Sequence, residues 1–101
     1  MPVTTIYEDG TVTAFLSGDI DHHTAAAMRE TIDQTVESSL PQKLIVDFKD
    51  VTFMDSSGIG LVMGRYKLMR SINGEIEVRN VSSHIKKVMK LAGLDLLAVV
   101  K

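Results

Sequence analysis

The chain has 101 residues, 45% hydrophobic and 24% charged, enough for one hydrophobic core and too few for two. It contains no cysteine, which removes a disulfide framework, a thiol nucleophile and a Cys-ligated metal. A formal net charge of -2 argues against a nucleic-acid binder. The start is not basic and no apolar run approaches about 18 residues, so neither a signal peptide nor a membrane span is expected, and the cytoplasm is the default location.

In chain order, residues 3–7 and 11–16 are two β-prone runs around Glu8-Asp9-Gly10, a strong hairpin signal. Gly18 is expected to break the second strand, and Asp21 to cap a helix starting near His22. Ala25, Met28, Ile32 and Val36 recur every three or four residues along it, and Pro41 marks its stop. The apolar run Leu44-Ile45-Val46-Asp47-Phe48 reads as a buried strand, with Phe48 and Phe53 assigned to the core. A helix follows over residues 57–70, then a turn at 71–74 and a short, partly exposed strand at 75–78. Val81-Ser82-Ser83 opens a last helix over 82–92, with Ile85, Val88, Met89, Leu91 and Ala92 apolar and Lys86, Lys87 and Lys90 outside. Gly93 closes it, and 96–100 is expected to be a strand. The order is β-β-α-β-α-β-α-β, an α/β domain with a mixed sheet, parallel beyond the hairpin, covered by helices. Strand order is not readable from the sequence.

The stretch around Asp55-Ser56-Ser57-Gly58 carries the functional signal. Ser or Asp is available there as an N-cap, and a serine at a helix mouth has an exposed hydroxyl beside free backbone N–H groups, a good place for a phosphate. Capping alone would explain the cluster. Its surroundings are costly, however: Gly58, Gly60 and Gly64 sit in the first turns of the helix, each about 1 kcal/mol worse than Ala. Either the helix lies very close to the sheet, or something lies very close to the helix.

Catalytic machinery is not evident. Gly-x-Ser-x-Gly is absent, and nothing in the spacing of His22, His23 and His84 directs a base at a serine. No metal-ligand spacing occurs, and the glycines form neither a P-loop nor a dinucleotide fingerprint. A binding surface is the better class. Asp21 and Asp55 can sit at neighbouring helix mouths and form an acidic, hydrogen-bonding patch with Ser56, beside Ile59 and Met63 as apolar contacts. The acid-rich first half (seven acids, one base to residue 42) and basic second half (ten bases, six acids) read as internally complementary within one domain.

Gly18-Asp19-Ile20-Asp21-His22-His23-Thr24, Phe53-Met54-Asp55-Ser56-Ser57-Gly58-Ile59-Gly60 and Gly64-Arg65-Tyr66-Lys67 together resemble the bacterial anti-sigma factor antagonists, in particular their sporulation branch. The likeness covers essentially the whole chain and implies a single STAS domain over 1–101, a mixed sheet covered by helices. It implies a protein that is not an enzyme, needs no cofactor or metal, and is the substrate of one. The implied partner is an anti-sigma factor that is also a serine kinase using ATP and magnesium, with a serine phosphatase resetting the switch. Neither nucleic acid nor membrane is implied as a partner, and the free protein is expected to be a monomer. Ser56 matches the phosphorylated position and Ser57 its neighbour, while Asp21 matches an acidic residue associated with partner binding. With the residues read above, the expected partner-binding set is Asp21, Asp55, Ser56, Ser57, Gly58, Ile59 and Met63. The chain ends soon after Val99-Val100, earlier than family members that carry a last helix. The competing readings are a scaffold module of the same family in a larger signalling complex and a small serine-dependent enzyme. The enzyme would need a histidine and an orienting group at Ser56.

Overall fold

The computed structural model describes residues 2–101, with Val99 described by its backbone. Five strands and three helices follow the expected order: β1 (Val3–Glu8), β2 (Thr11–Ile20), α1 (His22–Ser39), β3 (Lys43–Met54), α2 (Ser56–Ser71), β4 (Glu75–Arg79), α3 (Ser83–Leu91) and β5 (Val99–Val100). Strand order in the sheet is also chain order, β1-β2-β3-β4-β5. The β1–β2 hairpin is antiparallel and every other pairing is parallel. Asp9 and Gly10 both have positive φ, 51° and 78°, the backbone that a two-residue hairpin turn needs to match strand twist.

Alternation sorts the sheet into two faces. Val12, Ala14 and Leu16 of β2 lie level with Leu44 and Val46 of β3, and these with Ile76 and Val78 of β4. All are buried, and they join Met28, Ile32 and Val36 of α1, Leu61, Val62 and Met69 of α2 and Ile85 and Met89 of α3 in one core. The same helical spacing that marks α1 as amphipathic therefore places its apolar stripe on the sheet. The opposite face leaves Ile6 and Phe15 exposed beside Thr13. Right-handed crossovers that always step in one direction along the sheet put the helices on one side.

Three elements depart from the sequence-based expectation. Gly18 does not end β2; at φ 80° it takes up a register shift, and the strand runs on to Ile20. β3 likewise extends far beyond Phe48, to Met54, with irregularities against β2 after Phe15 and again after Gly18. The last expected strand is mostly not a strand. Gly93 turns the chain in the left-handed region, Leu94–Leu96 form a 3-10 turn, and only Val99–Val100 reach β4. Fully buried Leu94 anchors that turn, and the N–H groups of Leu96, Leu97 and Ala98 are satisfied within it rather than by a neighbouring strand. Leu96 and Leu97 consequently face solvent, as does Leu91, which the periodicity places on the apolar face of α3.

Charges also differ from the expectation. Because strand order follows chain order, the acidic half (β1, β2, α1) and the basic half lie on either side of the β2–β3 seam and pack on each other only along it and through α1 and α2. An ion pair does cross the boundary: Arg65 Nε of α2 lies 2.8 Å from Asp33 Oδ1 of α1, a charge contact without hydrogen-bond alignment. Burial pushes the Asp33 carboxyl up and the Arg65 guanidinium down, each opposed by the other's charge. Glu77, expected on a partly exposed strand, is buried on the sheet's open face beneath Lys43, Arg79 and Lys101. Burial there opposes its ionisation, but hydrogen bonds from Lys43 and Arg79 prevail and hold the carboxyl below its ordinary range.

The glycines of α2 separate by environment. A Cβ on Gly58 would overlap Met54 at the end of β3, so this glycine lets helix and strand approach; at Gly60 and Gly64 a Cβ meets nothing within 4 Å. Gly58→Ala should therefore destabilise by about 1–3 kcal/mol through overpacking. Gly60→Ala should stabilise by up to about 1 kcal/mol through helix propensity. Urea midpoints moving in opposite directions for the two variants would check this assignment.

Candidate functional site

The site is set where β2 and β3 end side by side. Ile20 and Met54 are the last paired residues, and the Asp55 N–H donates to the Ile20 carbonyl at 3.1 Å. The next residue on each chain is an aspartate that starts a helix. Asp21 and Asp55 thus stand roughly one strand spacing apart, about 4.8 Å between backbones. Both have extended backbone and both are N-caps.

Asp21 Oδ1 accepts from the N–H groups of His23 and Thr24, each at 2.9 Å. Thr24 Oγ1 accepts in return from the Asp21 N–H at 2.9 Å, a capping box with threonine in the place usual for Glu or Gln. These bonds, the Thr24 N–H foremost, hold the Asp21 carboxyl below its ordinary value. Asp55 Oδ1 accepts from the Ser57 N–H at 2.7 Å. The cap of α2 is therefore Asp55, and Ser56 is the first residue of the helix, not its cap. Because a carboxylate already accepts the orphan N–H group, the fold does not call on the Ser56 hydroxyl. That hydroxyl is exposed and makes no hydrogen bond among the described residues.

Two stripes run up α2 from this point. Ser56, Ile59 and Met63, at i, i+3 and i+7, share one face, on which Met63 is exposed and Ile59 half-buried against the core. Ser57, Gly60 and Gly64 have the same spacing on the next face and line a groove of about 510 Å³ against α1, whose wall includes His22, Ala25, Ala26 and Arg29. The two serines are thus inequivalent, Ser56 outward and Ser57 half-buried in the groove. Gly58 is buried against Met54 and cannot itself meet a partner through a side chain. Of the expected set, Asp21, Asp55, Ser56, Ile59 and Met63 are brought to one rim. Ser57 and Gly58 are placed behind it.

One residue of this rim contradicts the reading of the sequence. Phe53 is expected in the core with Phe48; Phe48 is buried, but Phe53 is 56% exposed. Simple alternation along the sequence does not reveal this, because both irregularities of β3 against β2 lie between residues 47 and 53. Asp19, its partner across the ladder, is also exposed and accepts from Thr52 Oγ1 at 2.7 Å. His22 and His23 are exposed with ring centroids 6.1 Å apart, and among the described residues no histidine hydrogen-bonds Ser56 or Ser57.

Asp55→Ala should cost about 1 kcal/mol of stability, the usual value of a lost cap. Ser56→Ala should change stability by less than about 0.5 kcal/mol, as expected of a surface position without a partner. Thermal or urea unfolding distinguishes the two. The Asp21 cap gives a further pH signature. Its carboxyl is held below the ordinary 3.8, so its contribution is fully present above that value and is lost as the pH falls through the lowered folded value. Asp21→Asn keeps a capping oxygen that cannot be protonated in this range. The variant should lose less stability than the parent on acidification below about pH 4.

Comparison with known proteins points the same way. Residues 3–99 match the STAS domain family. The anti-sigma F factor antagonist of Paenibacillus polymyxa is 34% identical over 85 residues, covering 84% of this chain and 73% of that protein. The structure of the anti-sigma factor antagonist SpoIIAA in its unphosphorylated form superposes with a TM-score of 0.84 at 29% identity, covering 98% of this chain and 87% of that one. The Bacillus cell fate determinant SpoIIAA in its phosphorylated form gives 0.77 at 29% identity, with 98% and 90% covered. In its family match, its strand and helix order and its superposition over nearly the full length, this chain belongs to the STAS domain family.

Proposed function

We propose that this protein is an anti-sigma factor antagonist of the sporulation type, switched by a phosphate on Ser56. The observation that carries the reading is the state of that hydroxyl: exposed, without a hydrogen bond, on the first residue of a helix whose capping is done by Asp55. Relatives named as anti-sigma factor antagonists, one of them solved in a phosphorylated form, support it. The unphosphorylated protein, a cytoplasmic monomer when free, binds an anti-sigma factor that is also a serine kinase and thereby releases the sigma factor.

In the switching step, the Ser56 oxygen attacks the γ-phosphorus of the ATP that the kinase holds with magnesium. The bond from that phosphorus to the β,γ-bridging oxygen breaks, ADP leaves, and the hydroxyl proton passes to a base of the kinase. The product carries about -1.5 to -2 added charge. It is borne by the residue after the Asp55 cap, on the stripe that Ile59 and Met63 offer to the partner. A partner docked there meets repulsion and the cost of desolvating the phosphate. Each 1.4 kcal/mol so lost is tenfold in affinity. Hydrolysis by a serine phosphatase restores the hydroxyl.

The test is incubation with the kinase encoded beside its gene, ATP and magnesium, followed by intact-mass measurement and peptide mapping. A single phosphate on Ser56 is expected; the mass increase appearing on Ser57 or Ser83 would overturn the assignment. By calorimetry, Ser56→Ala should bind the kinase like the parent, whereas Ser56→Asp should bind at least tenfold more weakly while remaining folded. Equal binding of the two folded variants would exclude charge at this position as the switch.

A further inference from the structure

We infer that the kinase partner grips this rim from both faces, with Phe53 as the anchor on the sheet side; the inference rests on the antagonist reading above. Between Phe15 and Asp19, β2 takes four steps, while β3 takes six between their partners Asp47 and Phe53. β3 therefore carries two extra residues, the local device by which strands re-aim side chains near functional sites. After both irregularities Met54 pairs with buried Ile20 and points inward to Gly58, and Phe53 is delivered to the open face of the sheet. The Asp19–Thr52 hydrogen bond ties the second irregularity across the two strands, so the ring is held on a paired strand and not on a free loop.

Phe53 is one of several exposed apolar side chains, and its position sets it apart: it lies on a paired strand three residues before Ser56, where a partner reaching the rim would bury it beside the polar contacts. Its neighbours define the partner's chemistry. Asp19 lies beside Phe53 across the ladder, and Asp21 and Asp55 follow at the two strand ends, so the rim offers three carboxylates together with Phe53 and the Ser56–Ile59–Met63 stripe. A flat surface laid on α2 reaches only the second of these apolar contacts. What fits all of them is a cleft with apolar walls and a cationic side chain between them. A guanidinium suits best, because it can pair with a carboxylate and stack on the ring at once.

The experiment uses the full chain labelled with fluorophenylalanine and the kinase encoded beside its gene. The protein has three phenylalanines, Phe15, Phe48 and Phe53, so its fluorine spectrum has three lines, of which Phe53→Ala identifies one. Phe48 reports the core, and half-exposed Phe15 reports the rest of the open sheet face. On adding the kinase, the Phe53 line should shift while those of Phe15 and Phe48 stay. Phe53→Ala and Met63→Ala should each weaken binding at least tenfold, with circular dichroism unchanged. A complex that forms with the Phe53 line unmoved, or Phe53→Ala binding as tightly as the parent, would overturn the two-sided grip and leave the antagonist reading standing. Failure of the parent to bind the kinase at all would overturn both.

Discussion

The pairing of β2 with β3 is the constraint on which the rest of this molecule depends. It joins the longest strands, is the first of the sheet's parallel crossovers, and decides where both flanking helices begin. Had the two strands kept an unbroken register, the ends would not have met at Ile20 and Met54, and Asp21 and Asp55 would have capped helices at different heights. The register shifts after Phe15 and Gly18 bring both ends level. A positive φ at Gly18 makes the second shift inexpensive, since a residue with a Cβ would be strained there. The glycine of this motif is thus part of the site although it touches nothing in it.

Order along the sheet has an electrostatic consequence. When strand order repeats chain order, a charge asymmetry in the sequence becomes a charge asymmetry in space. The molecule is 31 Å along its longest axis, several times the Debye length of about 8 Å at physiological salt. The acidic and basic halves meet at the β2–β3 seam, where the rim lies. A partner that reaches the rim meets Asp19, Asp21 and Asp55 first, whatever the net charge of the whole. Such local fields act mainly on encounter rate and on rejection of wrong partners.

Much of this is legible in the sequence, and the losses share a cause. Periodicity finds α1, α2 and α3 because more than two turns of amphipathic pattern average over local accidents; Asp9-Gly10 marks the hairpin because its dihedral demands are met by few residue pairs. Asp21 as a cap is readable for the same reason. What fails are the places where tertiary pairing overrides local preference. Gly18 reads as a breaker but is a bulge, and Leu96 reads as strand but follows a glycine that has already turned the chain. The sequence leaves the cap of α2 between Asp and Ser, because both residue types favour that position and only the backbone shows which of them is extended. Phe53 is lost to the expectation that aromatics near an apolar run belong to the core.

The division of labour between Asp55 and Ser56 explains how a switch can be built at a helix start without making the fold depend on it. Had Ser56 been the cap, every phosphorylation would have removed or rebuilt the bond that starts α2, and the switch would have been coupled to stability. With Asp55 as the cap, the proposed phosphate would arrive at a side chain that makes no hydrogen bond among the described residues. Two modest effects then oppose each other. Free N–H groups at the helix mouth favour an anion by about 0.3–1 kcal/mol. A carboxylate about 4 Å away in water opposes it by about 1 kcal/mol per unit charge. Neither approaches what is needed to move β2 or β3, which pair with each other up to Ile20 and Met54 and, further back, with β1 and β4. On the reading proposed above, the modification would be felt where a partner excludes water. There the same charges are no longer screened, and the balance that was nearly neutral on the free surface becomes strongly unfavourable.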